Sequence, residues 1–342
     1  MIRKNQNIIN TQELKQIVRA CIKAHKPLFI VGSPGIGKTQ IVKMIALEDG
    51  YNCIDLNISL CNPTMFSGLA CYDRDTKRAS FLPYDHLLKM IEATKETIVF
   101  LDDFSVATQA NQASAMHLLA ERRIGQFPIS EKVTFILASN NKGENAAVNG
   151  ILEPVKSRCV SIINLEPNAD DWINWAINNG IRSEVIGFIR LRPEMLWDFT
   201  PTNDFTNSPS PRTVVHVSDI LNMNLPVTLQ HSMIAGAIGN GFCNEFSGFL
   251  RLYQNMIDPD YIIQNPSTVE IPNDVSLIYA YMAALTYKAK KENFTKILTF
   301  AKRLPIEYNI KFVYYDLISK DKTLAETPAY IQWVNEYQNY LK

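Results

Sequence analysis

Gly32-Ser33-Pro34-Gly35-Ile36-Gly37-Lys38-Thr39 fits the pattern G-x-x-x-x-G-K-[ST] without a gap. The chemistry such a stretch can do is phosphate binding. Its glycines let the backbone turn tightly enough for successive N–H groups to face one anion, and a helix starting at its end adds the positive end of its dipole. Pro34-Gly35-Ile36-Gly37-Lys38-Thr39 is expected to wrap the phosphates, with Lys38 reaching the β- and γ-phosphates and the Thr39 hydroxyl holding Mg²⁺. Farther along, Thr97-Ile98-Val99-Phe100-Leu101-Asp102-Asp103 runs from apolar residues into two carboxylates. Asp102 is expected to hold the Mg²⁺ shell through its waters, and Asp103 to orient or deprotonate an attacking water. A third apolar run, Lys132 to Ala138, delivers Ser139-Asn140-Asn141. An amide there can hydrogen-bond both the γ-phosphate and the attacking water, and so sense the phosphate.

Elements of regular structure must bring these groups together. Pro27 to Val31 is a short apolar run of the kind found in buried parallel strands, and Thr39 to Leu47 has helical spacing, closed by Gly50. Thr11 to Ala24 reads as an amphipathic helix with Thr11 as its N-cap. Further strands are expected at Tyr51 to Ile58 and at Cys159 to Leu165, and helices at Asp85 to Lys95 and 106 to 123. Between Ser59 and Pro83 the pattern gives way to a long excursion with room for a short hairpin. Its Met65, Phe66 and Phe81 either touch a partner or fold back onto the core. From about residue 166 helical spacing dominates, with stretches near 172–179, 183–188, 213–221, 229–253, 275–290, 296–303 and 329–341. Thr200 to Pro211, rich in Pro, Ser, Thr and Asn, reads as a loop. The aromatics Tyr279, Tyr281, Phe294, Phe300, Tyr314, Tyr315, Trp333 and Tyr337 recur at core-like spacing.

The chain has 342 residues, enough for two or three domains. Lys and Arg together number 34, as do Asp and Glu, so no global field draws it to nucleic acid or an acidic membrane. Its six cysteines form no C-x-x-C pair and have no histidine at metal spacing, which points to reduced thiols in the cytoplasm. The first residues lack the apolar centre of a signal peptide, and the stretch around Leu277 to Tyr287 is too short to span a bilayer.

The order of these motifs resembles that of AAA+ ATPases, and specifically the MoxR-like branch related to the dynein-type modules. The likeness rests on the two phosphate-site motifs, Asp55-Leu56-Asn57, Arg122-Arg123-Ile124-Gly125 and Ser157-Arg158-Cys159. It continues through Asp171-Trp172-Ile173-Asn174-Trp175-Ala176 and Ser208-Pro209-Ser210-Pro211-Arg212-Thr213. It implies a P-loop NTPase (AAA+) fold: a three-layer αβα nucleotide-binding domain with a parallel sheet over 1–165, an all-helical lid over 166–235, and a C-terminal helical extension over 236–342. It also implies that Asn140 is the first sensor, with Asn141 the other register. Arg158 becomes a finger for the neighbouring subunit's nucleotide, and Arg212 a second sensor acting on its own. A finger acting in trans implies a ring, most often a homo-hexamer. The resemblance further implies a chaperone-type ATPase using ATP and Mg²⁺ to remodel a protein client, sometimes alongside a von Willebrand factor A domain partner.

One departure stands out: the family's usual Asp-Glu is Asp102-Asp103 here. Aspartate is one methylene shorter, and positioning errors on the order of 1 Å can lower a rate about a hundredfold. A slow-hydrolysing, nucleotide-gated scaffold therefore stands beside the motor reading, as does a nucleic-acid-directed ATPase of helicase or clamp-loader type. ATP is favoured over GTP because Asn141-Lys142-Gly143-Glu144 ends in glutamate where guanine reading needs aspartate.

Overall fold

Six strands form one parallel sheet: β1 (Ile8–Ile9), β2 (Leu28–Val31), β3 (Asn52–Asn57), β6 (Thr97–Asp102), β9 (Val133–Ser139) and β10 (Ser161–Leu165), in the order β1-β10-β2-β9-β6-β3. The structure is a computed structural model that describes residues 7–75, 77–141, 150–199 and 205–341. Lys142, Gly143 and Glu144 of the guanine-reading pattern, part of the Thr200 to Pro211 loop, and the first six residues lie outside the described residues.

The central strands are apolar without alternation because both faces are covered. Period-two geometry divides their side chains between two cores. Ile98, Phe100, Ile136 and Ala138 pack with Leu14, Val18, Val42 and Ile45 of α1 (Thr11–Lys23) and α2 (Lys38–Asp49). Val99, Leu101, Phe135 and Leu137 face Leu118 of α5 (Gln109–Glu121). Each such large side chain, fully buried, contributes about 1.5–3 kcal/mol. Helix α1 is capped by Asn10 rather than Thr11: the Asn10 side chain accepts from Glu13 N–H at 2.9 Å, and the Glu13 carboxylate accepts from Asn10 N–H at 2.9 Å. Asparagine and glutamate three residues apart make this reciprocal cap, which leaves Thr11 inside the first turn. Gly50, at φ 70°, closes α2 as expected.

The excursion after β3 holds α3 (Thr64–Ser67), the antiparallel hairpin β4 (Leu69–Asp73) and β5 (Arg78–Leu82), and then α4 (Asp85–Ile91). Phe66 folds back into the core, whereas Phe81 stays 38 % exposed. Gly68 is required where it stands, since its φ is 92° and a Cβ would lie 2.5 Å from the Leu82 carbonyl oxygen. A second hairpin, β7 (Arg123–Ile124) with β8 (Phe127–Pro128), precedes β9. Short α6 (Glu153–Lys156) leads into β10.

The chain divides into two units, Met1–Pro167 and Asn168–Lys342. In the described residues of the second, helices follow one another: α7 (Ala169–Asn178), α8 (Ser183–Leu191), α9 (Pro211–Asn222), α10 (Val227–Ile238), α11 (Asn240–Gln254), α12 (Pro259–Gln264), α13 (Val275–Lys288) and α14 (Phe294–Ala301). After α15 (Ile306–Ile310) come a π-helical segment (Lys311–Leu317), α16 (Ile318–Lys320) and α17 (Pro328–Tyr337). The expected single helix over 229–253 is two, divided at Gly239, whose φ of 96° no helix accommodates. One core centres on Phe188, with Phe242 and Phe246 edge-on at 5.0 and 5.3 Å. The other centres on Trp333, stacked between Tyr330 and Tyr337 and donating to Asn309 Oδ1 at 3.0 Å. Tyr314 and Tyr315 are exposed, contrary to the core-like spacing. The π-helical turn shifts the register there, so that Asp316 rather than an aromatic points inward, against Arg190.

Candidate functional site

Parallel strands all end on one edge of the sheet, and four of those ends carry the expected chemistry. β2 leads into the phosphate loop, β9 ends in Ser139-Asn140, β6 in Asp102-Asp103, and β3 in Asn57. Because β9 lies between β2 and β6, Asn140 emerges between Lys38 and the carboxylates. The loop turns through Gly35 (φ 78°) and Gly37 (φ 97°), and Gly37 caps α2, so that Lys38 and Thr39 open the helix. Pro34 precedes the first of these glycines and Ile36 lies between them, buried.

Lys38 is 8 % exposed, and its ammonium donates to the Gly32 and Ser33 carbonyls at 2.7 and 3.0 Å and to Asn140 Oδ1 at 3.0 Å. A buried cation needs such acceptors. The same groups can hand it to a phosphate, which offers stronger, charged oxygens. Thr39 Oγ1 donates to Asp102 Oδ2 at 2.5 Å, and Asp102 Oδ1 accepts from Asp103 N–H at 2.9 Å. A hydroxyl at a helix start and a carboxylate at a strand end are oxygen donors of the kind that Mg²⁺ takes, so these two residues fit the ion that the motifs imply. Asn141 also reaches the phosphate loop, donating to Ser33 Oγ at 3.2 Å.

Asp103 has a different environment. Its φ of 53° lies in the left-handed region, which aspartate tolerates better than most residues. Its carboxylate accepts from Asn57 Nδ2 at 2.9 Å. The next residue ties the same turn to β9, with Phe104 N–H donating to the Ala138 carbonyl at 2.9 Å. Asn57, part of a motif noted only for its resemblance, is thus a contact of the candidate base. Its position opposite Asp102 in the β3–β6 register is what brings it there.

Arg158 follows α6, exposed, with its guanidinium donating to the Pro154 carbonyl at 2.7 Å. The Cys159 thiol beside it is pushed up to about 12 by burial, which makes it a poor nucleophile. Arg212, in the other unit, is exposed in the first turn of α9, behind Pro211 and a Ser210–Thr213 capping box. Among the described residues no cluster of His, Cys, Asp or Glu forms another metal site, and no helix is long and apolar enough to cross a membrane.

This fold and this edge define a P-loop nucleotide-hydrolase domain. Residues 28–167 match the family model described as ATPase family associated with various cellular activities (AAA). The protein therefore carries an AAA-family ATPase domain, followed by a helical part. No curated protein matches the chain. Among solved structures, it is similar to the RuvB Holliday junction branch migration motor of Thermotoga maritima at 12% identity, covering 84% of this chain and 83% of that one with a TM-score of 0.39. It is also similar to NtrX from Brucella abortus, solved in complex with ADP, at 15% identity, 92% and 67% coverage and a TM-score of 0.36.

Proposed function

We propose that the protein is a Mg²⁺-dependent, MoxR-like ATPase that works as a ring and uses hydrolysis to remodel a protein client. The observation that carries this reading is the convergence at the sheet edge of two hydrogen-bonded pairs, Lys38 with Asn140 and Thr39 with Asp102. In the proposed reaction the Pro34 to Thr39 turn holds the phosphates, and Lys38 moves from its carbonyl partners to the β- and γ-oxygens. Thr39 and Asp102 would hold Mg²⁺, and a bound ion would supply neutralisation of phosphate charge. Asp103 orients the attacking water and takes its proton, and Asn140 reads the γ-phosphate. Arg158 serves the neighbouring subunit's nucleotide, and Arg212 couples the helical lid to its own. Within the helical unit we keep the lid over 166–235 and the extension over 236–342; the core around Phe188 draws side chains from both, and the fully buried members of the core around Trp333 belong to the extension.

A second reading has a specific observation behind it. Asp103 is short, conformationally confined and held by Asn57, which favours a scaffold that binds ATP and turns it over slowly. Single-turnover hydrolysis of the wild type beside Asp103→Glu tests both. An ordinary wild-type rate removes the scaffold reading, and a large gain in Asp103→Glu removes the fast motor. Pull-down with Asp103→Asn and ATP tests for a client. Stimulation by DNA that collapses with added salt would replace the protein client with nucleic acid.

A further inference from the structure

Two neighbouring amides in the first turn of α5 are buried, Asn111 at 3 % and Gln112 at 0 % exposure. Buried polar groups must be satisfied, and where their bonds go shows what they hold. Gln112 grips two separate parts of the nucleotide-binding unit. Its Nε2 donates to the Ala107 carbonyl at 3.2 Å, on the turn that follows Asp103, and to the Gly150 carbonyl at 2.8 Å. Its Oε1 accepts from Leu152 N–H at 3.1 Å. The Leu152 carbonyl then accepts from Val155 N–H at 3.0 Å, opening α6, and the Val155 carbonyl accepts from Arg158 N–H at 3.2 Å. A short relay of hydrogen bonds thus runs from Gln112 to the backbone of Arg158. Asn111 points elsewhere, donating to the Ile58 and Cys61 carbonyls at 3.1 and 2.7 Å, on the turn that follows Asn57.

We propose that Gln112 is a positioning residue that sets Arg158 for the neighbouring subunit's nucleotide and keeps it in register with the turn after Asp103. This rests on the reading of Arg158 as a finger acting in trans. Gln112 touches no reacting atom. It acts by fixing the backbone from which Arg158 extends, and displacement of a positioned group by about 1 Å costs on the order of a hundredfold in rate. Asn111, on the same turn of helix, steadies the subunit's own site instead.

The test uses mixed rings of the full chain. Gln112→Met alone is expected to lower kcat by roughly 10- to 100-fold while leaving KM for ATP within about twofold. Mixed with Lys38→Ala subunits, whose own sites are dead but whose Arg158 is correctly held, it should recover activity to about the level that Arg158→Ala reaches with the same partner. Asn111→Leu should show no such recovery. Gln112→Glu keeps the acceptor for Leu152 N–H and should fall between wild type and Gln112→Met. If Arg158→Ala with Lys38→Ala fails to recover in verified mixed rings, the trans finger itself fails and this inference falls with it. If that pair recovers and Gln112→Met does not, or if Gln112→Met has wild-type kcat, the positioning role alone is overturned. Should the variants not fold, amide exchange of the wild type decides: Leu152 N–H is expected to exchange as slowly as the strand amides, and fast exchange there overturns the clamp.

Discussion

The α/β unit and the helical unit bury polar groups for different ends. In the first, Lys38 and Gln112 are buried near one edge of the sheet, where their partners belong to the phosphate loop, Asn140, the carboxylate turn and the segment leading to Arg158. In the second, a buried ion pair joins Arg190 on α8 to Asp316 on the π-helical segment, with Asp170 4.0 Å from the same guanidinium. One set converges on the edge that carries the phosphate motifs, the other holds helical segments together. Burial of charge alone therefore does not mark a site; convergence on one open edge does. All four tryptophans lie in the helical unit, so their emission reads that half alone, while a fluorescent ATP analogue reads the other.

The contrast can be broken at either end. Arg190→Met leaves Asp316 buried without its counter-charge and is expected to cost about 3–5 kcal/mol in denaturant unfolding followed by tryptophan emission. ATP-analogue affinity should stay near the wild-type value; a parallel loss would mean that the pair supports the site too. Lys38→Ala is expected to reverse the pattern, lowering turnover by roughly 10²–10³-fold with the tryptophan-detected unfolding unmoved.

Acidity sharpens the distinction further. Asp316 is pushed up to about 6 because complete burial outweighs the attraction of Arg190. Its folded value lies above the ordinary 3.8, so between the two the folded form keeps a proton that the unfolded form has lost. Its contribution to stability is therefore full below about pH 4, is lost as pH rises to about 6, and is flat above, a change of about 3 kcal/mol. The difference in unfolding free energy between wild type and Asp316→Asn should trace that fall; a rise with pH would show that the ion pair outweighs burial. The smallest effect is at the cap of α5. Thr108→Ala removes the side chain that accepts from Asn111 N–H at 3.2 Å and should cost about 1 kcal/mol in the α/β unit, as read by heat stability of ATP-analogue binding.

The residues expected to meet a phosphate were legible in the sequence because phosphate chemistry would dictate both their types and their order along parallel strands. Lys38, Thr39, Asp102 and Asn140 could be read from local runs, and so could the strands that carry them. Residues that meet one another across the fold were harder to read. Asn57 reaches Asp103 only through the β3–β6 register, and Gln112 looks like any polar residue in a helix until Leu152 folds against it. The two-residue strand β1 has too little sequence for any period to show, and exists because Ile8 and Ile9 pair with Asn164 and Leu165. Tyr314 and Tyr315 were misleading for a related reason: a single π-helical turn breaks the 3.6-residue period on which their expected burial depended.

Gly32 opens the phosphate loop, yet it has no left-handed backbone to justify it. A Cβ there would lie 2.6 Å from Ile36 Cδ1 and 2.7 Å from the carbonyl oxygen of Leu165, the last residue of β10. The position is a clearance gauge: the loop runs as close to the final strand as a bare α-carbon permits. Leu165 lies two residues before the end of the α/β unit, so a pull on the chain where it passes into the helices bears first on the strand that touches the loop. Any side chain at Gly32 must displace Ile36 or the Leu165 carbonyl, and with it the spacing between the loop and the final strand.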